Sequence, residues 1–526
     1  MKLNFKTFII LLATLIFALT AYFSTGYFHA DEHYQVIEFA GLKAGWNARN
    51  EVAWEFHTQI RSALLPTLAY CIFSLNSVFQ IHDPYISLFI LRLISGFLCL
   101  FALVFFFRKS SISLFKTEQS DNFLRITYLI LLLLTWYIPF LSVRFSSETW
   151  SAICLLFGLG FYFEIGKSRY TSLIIGILFG LAFLFRFQMA FGLIGIGIYH
   201  LIYGEDKIKS TFKILLGFSI VLIAGVLIDR WFYSEWVFTP WKYFWLFFEN
   251  DLLNDVESSF GTSSKYYYLE ALYQLPTHFM GIVLIICLFI TTLFKPKNPI
   301  IWFILPFIFV HSLISHKEER FLFPIVFLFP FFVISAFLLL NQSGALKKFT
   351  RPVIYCTILG LFFVNLIGLS VMTTKSAGLG RMEITHYIHN HYGKQKVYLI
   401  NTPFANPYNP WGSLPEKFYL EKNIRFQQID NLANLSDTLF QPGKINLLVL
   451  RGYDIDHNYL PGNIEKMGFK LEVQSISKKE QSMNRYVKGF ENFDVLYLYK
   501  WKRNKTSTQR KKGNIANKTN QSNQLK

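Results

Sequence analysis

Charge is what this sequence has least of: charged residues fill only 16% of its 526 positions, against about 25% in soluble globular chains. So few charges cannot cover the surface of a soluble chain of this length. Cysteine is also scarce. Cys71, Cys99, Cys154, Cys287 and Cys356 all lie in apolar stretches without metal-ligand spacing, which predicts small core residues, no disulfide framework and no zinc site. There is no Walker or Rossmann motif, no internal repeat and no dense carboxylate cluster for a metal. The formal charge of +18 comes without any nucleic-acid module, so no nucleic-acid partner is expected.

Long apolar runs are there instead. Hydrophobic residues make up 53% of the chain, with 58 Phe. A membrane-crossing helix needs about 20 mostly apolar residues. The runs predict spans near 7–28, 85–107, 126–143, 147–165, 171–185, 188–203, 211–229, 277–294, 298–315, 321–340 and 352–373. The fold class is thus a polytopic α-helical membrane protein with about eleven spans. Lys2 and Lys6 precede the first run, which is long for a signal peptide and lacks a small-x-small cleavage site. It reads as a retained span with a cytoplasmic N-terminus.

Alternating sides from there, the cytoplasmic turns hold Arg108, Lys109, Lys116 and Arg125; Lys167 and Arg169; Lys207, Lys209 and Lys213; Lys295 and Lys297; and Lys347, Lys348 and Arg351. Every such turn is basic, as positive-inside topology requires. The apolar stretch 62–80 must not span, or each later basic turn would face outward. It belongs to the first outer loop, 29–84, as a helix against the membrane. The spans form a membrane domain over 1–373. Residues 374–501 then lose the long apolar runs and predict an outer α/β domain. Lys396–Thr402, Ile445–Arg451 and Phe493–Tyr499 are its strands and Met382–Tyr392 its helix. The Asn/Lys-rich tail 502–526 predicts disorder.

Ionisable groups near a bilayer interior cost about 2.5–3.5 kcal/mol each at a helix centre, so their placement is informative. Outside the basic turns they gather at the outer helix ends. The first group is His29-Ala-Asp-Glu-His-Tyr-Gln35. Asp31 and Glu32, being adjacent, cannot point the same way and should have separate roles. The group reads either as a polar helix end meeting water or as a general base outside the bilayer. The second is Ser315-His-Lys-Glu-Glu-Arg-Phe321, in a turn that needs no such residues for its geometry. His316, Lys317 and Arg320 suit an anion such as phosphate; the alternative is a structural ion-pair network. Arg144 and Glu148 sit at a helix start, and Arg186 interrupts an apolar stretch. The segment from Asp229 is rich in Trp and Tyr, as membrane interfaces are, and Phe260–Tyr268 is similar.

Taken in order, these motifs resemble glycosyltransferase family 22, the Alg9-like and GPI mannosyltransferases that use polyprenyl-phosphate mannose. That family's H-P-D-E reads H-A-D-E here. Trp54-Glu55-Phe56 and Ile60-Arg61-Ser62 with Pro66 match the elements that follow, as do Arg144 to Glu148, Asp229 to Ser234 and Phe260 to Tyr268. H-K-E-x-R-F matches His316, Lys317, Glu318, Arg320 and Phe321. Thr402-Pro403-Phe404 to Tyr408 gives a fainter echo. Ala30 replaces Pro, Ser234 replaces Gly, and Phe404-Ala405-Asn406 stands where a Cys-His pair is usual.

The resemblance implies a GT-C fold and an inverting membrane glycosyltransferase, expected to be a mannosyltransferase. The donor would be a polyprenyl-phosphate sugar and the acceptor a glycan or glycolipid. Asp31 would be the base. His29, Glu32, Arg61, Arg144, Glu148, Arg186, His316, Lys317, Glu318 and Arg320 would bind donor phosphate or orient the groups that do. No metal or other cofactor is implied. Transfer of another sugar, or transport of a lipid-linked sugar, stays open. The active face would be periplasmic with an undecaprenyl carrier in a bacterium, and in the ER lumen with dolichol in a eukaryote. The sequons at Asn434, Asn504, Asn517 and Asn520 do not decide between these.

Overall fold

The structure, a computed structural model, describes residues 4–115, 122–166, 168–204, 206–249, 261–275, 277–343, 351–378, 380–410, 412, 414–430, 435, 439–458, 461–477 and 495–502. Lys116, Lys167, Lys347, Lys348, Phe260, the four sequon asparagines and the tail beyond 502 lie outside them. The chain forms two compact units, Met1–Ala377 and Gly378–Lys526.

Each apolar run becomes helical, and polar residues set the ends. Asp83 Oδ1 accepts from Tyr85 N at 2.7 Å and Ile86 N at 3.1 Å, with Pro84 in the first turn, so the helix Pro84–Leu114 starts there. Ser146 caps Ser147–Tyr162 through Thr149 N. Among the described residues, three helices are long and apolar enough alone to cross a membrane: Phe5–Phe23, Pro84–Leu114 and Lys207–Tyr233. A fourth would be the pair Glu319–Val326 and Phe329–Gln342, bent by 60° beside Pro330. Asn122–Leu134, Thr171–Phe185, Met189–Tyr203, His278–Phe294, Pro299–Leu313 and Ile358–Thr374 are apolar but shorter. At 1.5 Å per residue these cover roughly 20–26 Å of a core about 30 Å thick. The helices fall where spans were expected, but fewer reach full spanning length than the expected eleven. Leu64–Val78, kept out of that count, is a short helix whose Phe73 meets Trp46 at 5.6 Å between ring centroids.

The core of the first unit is aromatic, with Phe106, Tyr128, Phe303, Phe307, Phe331 and Phe332 fully buried. Glycine lets helices approach closely: a Cβ on Gly176 would lie 2.0 Å from the Ile214 carbonyl oxygen, so Thr171–Phe185 packs backbone-close on Lys207–Tyr233. Outward faces stay apolar, as with Phe212, Ile223 and Leu227. Cys71 and Cys356 lie on such exposed faces, whereas Cys99 and Cys154 are in the core. The expectation that all five would be core residues fails because a helix facing hydrocarbon needs no protein cover.

The second unit holds a five-stranded sheet ordered β2-β1-β3-β5-β4. β1 is Val397–Asn401, β2 Ile424–Gln428, β3 Ile445–Arg451, β4 Phe469–Gln474 and β5 Leu496–Trp501. β1 pairs parallel with β2 and β3, while β5 runs antiparallel to β3 and β4. β1 is buried along its whole length, which is why it reads as an apolar run. The expected helix Met382–Tyr392 is present. β2 and β4 went unpredicted because Arg425, Gln427, Lys470 and Glu472 interrupt their apolar pattern. The third expected strand begins later than Phe493, and residues 493–494 lie outside the described set.

Candidate active site

The helix Ser147–Tyr162 runs between two chemically different ends. Beyond Tyr162 lie basic turns, with Lys109 Nζ 2.6 Å from Glu164 Oε2 and Lys213 Nζ donating to the Arg169 carbonyl at 2.9 Å. At its start, Glu148 joins the carboxylates and guanidiniums from the other expected clusters. The charges sort by helix end, as the sequence indicated.

The first segment is shaped by its own polar groups. The helix Phe5–Phe23 stops at Ser24, and Gly26 turns the chain with φ 78°. His29 Nδ1 accepts from Asp31 N at 3.2 Å and starts the short helix Ala30–Glu32. That contact leaves Nε2 to carry the imidazole proton and donate to Glu318 Oε2 at 3.1 Å. A π-helix, His33–Ile37, follows. It is fixed by the buried pair His33 Nε2 to Glu38 Oε1 at 2.8 Å, and Asn47 Nδ2 donates to Glu38 Oε2 at 2.5 Å.

Asp31 and Glu32 take different partners. Asp31 Oδ2 lies 2.7 Å from Arg320 Nη1 and 3.7 Å from Arg61 Nη2. Oδ1 lies 3.7 Å from His29 Nδ1, which is already an acceptor, so among the described residues Oδ1 receives no hydrogen bond. Glu32 is turned toward Arg144 Nη1 at 3.8 Å and the Phe28 amide at 3.3 Å. Burial raises its pKa, and Arg144 opposes the rise.

The 316–320 turn is internally saturated. Glu318 accepts from His29, from His316 Nε2 at 2.9 Å, and from two nitrogens of Arg320, Nη2 at 3.0 Å and the closer Nε. Burial raises the Glu318 pKa, but these hydrogen bonds outweigh it and hold the carboxyl far below the usual range. Arg320 thus bridges Glu318, Asp31 and, at 3.5 Å, Glu148 Oε1. Lys317 turns away, and its Nζ donates to the Ser263 carbonyl at 2.9 Å. Arg144 likewise holds backbone in place, donating to the Ser24 carbonyl at 2.8 Å, Ser24 Oγ at 2.6 Å and the Gly26 carbonyl at 3.2 Å.

Arg186 and Arg61 differ in that both line a cleft. Arg186 occupies the extended break before Met189–Tyr203, is 3% exposed, and places Nη1 2.5 Å from Glu148 Oε1. Its Nε and Nη2 have no hydrogen-bond partner among the described residues, and neither has Arg61 Nε. Arg61 and Arg186 line, with Asp31, Glu32, Gln35 and Glu148, one cleft of about 520 Å³. Buried unpaired N–H groups are costly, and a cleft lined by the side chains that carry them suits acceptor oxygens. An apolar space of about 730 Å³ is lined by Phe28, Trp136, Phe140, Leu272, Phe323 and Met372, and it is tied to the cleft through the Phe28 amide, which donates to Glu32 Oε2 at 3.3 Å. Phe28 adjoins His29, and Phe323 follows Arg320 in the chain.

The charged residues gathered here were named from the sequence, Arg61 only through the family resemblance. Sequence reasoning missed Gln35, whose amide donates to Glu55 Oε1 at 2.7 Å while lining the cleft. Its position four residues after Asp31 was the available signal.

Known proteins give this arrangement a context. Over 324 residues the chain is 24% identical to GPI alpha-1,2-mannosyltransferase 3 of Danio rerio, covering 61% of this chain and 57% of that protein. Over 155 residues it is 34% identical to the probable Dol-P-Man:Man(7)GlcNAc(2)-PP-Dol alpha-1,6-mannosyltransferase of Schizosaccharomyces pombe, covering 27% and 26%. The matches thus span less than two thirds of these relatives. The crystal structure of ArnT from Cupriavidus metallidurans bound to undecaprenyl phosphate superposes with a TM-score of 0.52 at 11% identity, covering 94% of this chain and 97% of that one. At that identity the likeness speaks for the fold, which is GT-C. The sequence profile of the Alg9-like mannosyltransferase family matches residues 9–421, and the chain, an integral membrane protein, belongs to that family.

Proposed function

We propose that this protein is an inverting membrane mannosyltransferase that takes its sugar from a polyprenyl-phosphate carrier. The observation that carries the reading is one cleft whose lining holds, among the described residues, a carboxylate oxygen without a hydrogen bond, Asp31 Oδ1, and unpaired guanidinium N–H groups on Arg61 and Arg186. In the proposed step the acceptor hydroxyl oxygen bonds to the anomeric carbon from the face opposite the phosphate. The bond from that carbon to the phosphate oxygen breaks, its electrons stay on the phosphate, and the hydroxyl proton passes to Asp31 Oδ1. Arg61 and Arg186 stabilise the charge growing on the leaving oxygen. Arg320 holds Asp31 in place, and Glu148 orients Arg186 and Arg320. The sugar–phosphate bond supplies the driving force, so the reading needs no nucleotide.

The apolar space lined by Phe28 and Phe323 supports a lipid-linked donor, because it offers hydrocarbon cover tied to the charged cleft through Phe28. Mannose as the sugar rests on the relatives' names, and a glycan or glycolipid acceptor rests on the same ground. The basic turns at the opposite helix ends support an extracytoplasmic active face, and a reporter fused after residue 374 that worked only in the cytoplasm would count against it. The decisive test offers the purified protein in nanodiscs polyprenyl-phosphate mannose, glucose or pentose together with candidate acceptors. Mannose transfer with an inverted linkage is expected. Transfer of another sugar would correct the donor. Movement of the intact lipid across the bilayer without transfer would replace an enzyme by a transporter.

A further inference from the structure

The family resemblance takes in Asp229 to Ser234, yet none of these residues lines the cleft. Their contacts converge elsewhere, on residues 59–63. Asp229, 1% exposed, accepts from the Ala63 amide through Oδ1 at 2.7 Å and from Thr239 Oγ1 through Oδ2 at 2.8 Å. Tyr233 donates its hydroxyl proton to the Arg61 carbonyl at 2.7 Å. Gln59, which reverses the chain at φ 56°, has its side chain bridged between Glu235 and Lys242. The Tyr243 ring lies 5.9 Å from the Arg61 guanidinium. A single stretch of chain thus grips the segment at its start, at Arg61 itself and two residues beyond.

We propose that residues 229–243 form a clamp that sets Arg61 against Asp31, with Asp229 and Tyr233 as positioning residues. This rests on the role proposed above for the Asp31 cleft. Segment 59–63 is a short non-helical link between the helices Trp54–Thr58 and Leu64–Val78, and among the described residues the Arg61 and Ser62 amides have no backbone hydrogen-bond partner to fix them. The Arg61 guanidinium, 3.7 Å from Asp31, can hold that place only if the main chain under it is held. The buried carboxylate of Asp229 is spent on a backbone amide and a hydroxyl, neither of which needs its charge. Asparagine could make both contacts, accepting from Ala63 and donating to Thr239 Oγ1. Alanine could make neither.

That difference separates positioning from chemistry. In sugar transfer by the full-length protein in nanodiscs, Asp229→Ala and Tyr233→Phe are expected to lower kcat/KM by about 10- to 100-fold, the scale of a misplaced binding group. Asp229→Asn should stay within about threefold of wild type, well inside that scale. In an Arg61→Ala background neither Asp229→Ala nor Tyr233→Phe should lower turnover further, because the group they position is gone. An Asp229→Asn variant as inactive as Asp229→Ala would overturn the clamp, since charge would then be what matters. Losses that multiply in the double variants would also overturn it, as would wild-type turnover by Arg61→Ala alone. Tyr233→Phe deletes a single oxygen and keeps the test alive if Asp229→Ala does not fold. Failure of the underlying reading looks different: Asp31→Asn would then transfer sugar normally whatever the clamp variants do.

Discussion

Replacing Asp31 by Asn is the most searching perturbation of the site. The change is nearly isosteric, and the amide can still present an oxygen to Arg320 Nη1, now 2.7 Å from Oδ2. Its NH2 then occupies the place of Oδ1, putting a donor where the acceptor's proton must go. Arg320 keeps both contacts with Glu318 and its approach to Glu148, so the fold should lose less than about 3 kcal/mol, the upper worth of one hydrogen bond to a charged group. Transfer should fall about 10²–10⁴-fold, or roughly 2.7–5.4 kcal/mol in the barrier, with donor binding retained. Glu32→Gln is the control. Glu32 faces Arg144, which Ser24 and Gly26 already anchor, and burial disfavours its charge, so that variant should fold and transfer near normally. The assay is single-turnover transfer from lipid-linked mannose, with donor binding and thermal unfolding measured alongside. The reasoning collapses if Asp31→Asn transfers at the wild-type rate while Glu32→Gln is dead.

Arg186→Lys keeps the charge but loses the planar fork that reaches Glu148 while leaving donors free. Transfer should drop by about 10²–10³-fold, as for loss of one preorganised donor, and a variant within threefold of wild type would remove Arg186 from the phosphate seat. Glu318 has a depressed pKa, so its contribution to stability is fully present above the unfolded value of about 4.3 and is lost as pH falls below it. The unfolding midpoint should therefore drop between roughly pH 5 and pH 3, and Glu318→Gln should be less stable at neutral pH with a flatter profile; a wild-type profile flat across that window would count against the network. Ser234 sits at φ 67°, in the left-handed region, where a side chain costs about 1 kcal/mol. Ser234→Gly should stabilise the protein by up to that amount, and a lower unfolding midpoint would show that the serine side chain contributes something its backbone strain does not reveal.

Much of this protein was legible in order along the chain. Apolar runs are read directly, because a bilayer demands about 20 consecutive apolar residues whatever the tertiary packing. Basic turns sort the helix ends for a similar reason, and β1 and β3 announced themselves as buried apolar strands. The charged residues of the site were legible too, since each is too costly near a membrane to be there without a role. The division of labour among them was not. Arg320, Lys317, Arg144, Arg61 and Arg186 are alike in sequence as cations outside the basic turns. Arg320 is engaged by Glu318, Asp31 and Glu148, Lys317 holds a carbonyl, and Arg144 ties down Ser24 and Gly26, while Arg61 and Arg186 line the cleft and carry N–H groups without a hydrogen-bond partner among the described residues. Hydrogen-bond capacity is local and finite, and which partner uses it depends on residues far apart in the chain. Composition therefore determined the membrane, the motifs determined the family and the candidate base, and only tertiary packing decided which cations are tied to partners and which line the cleft.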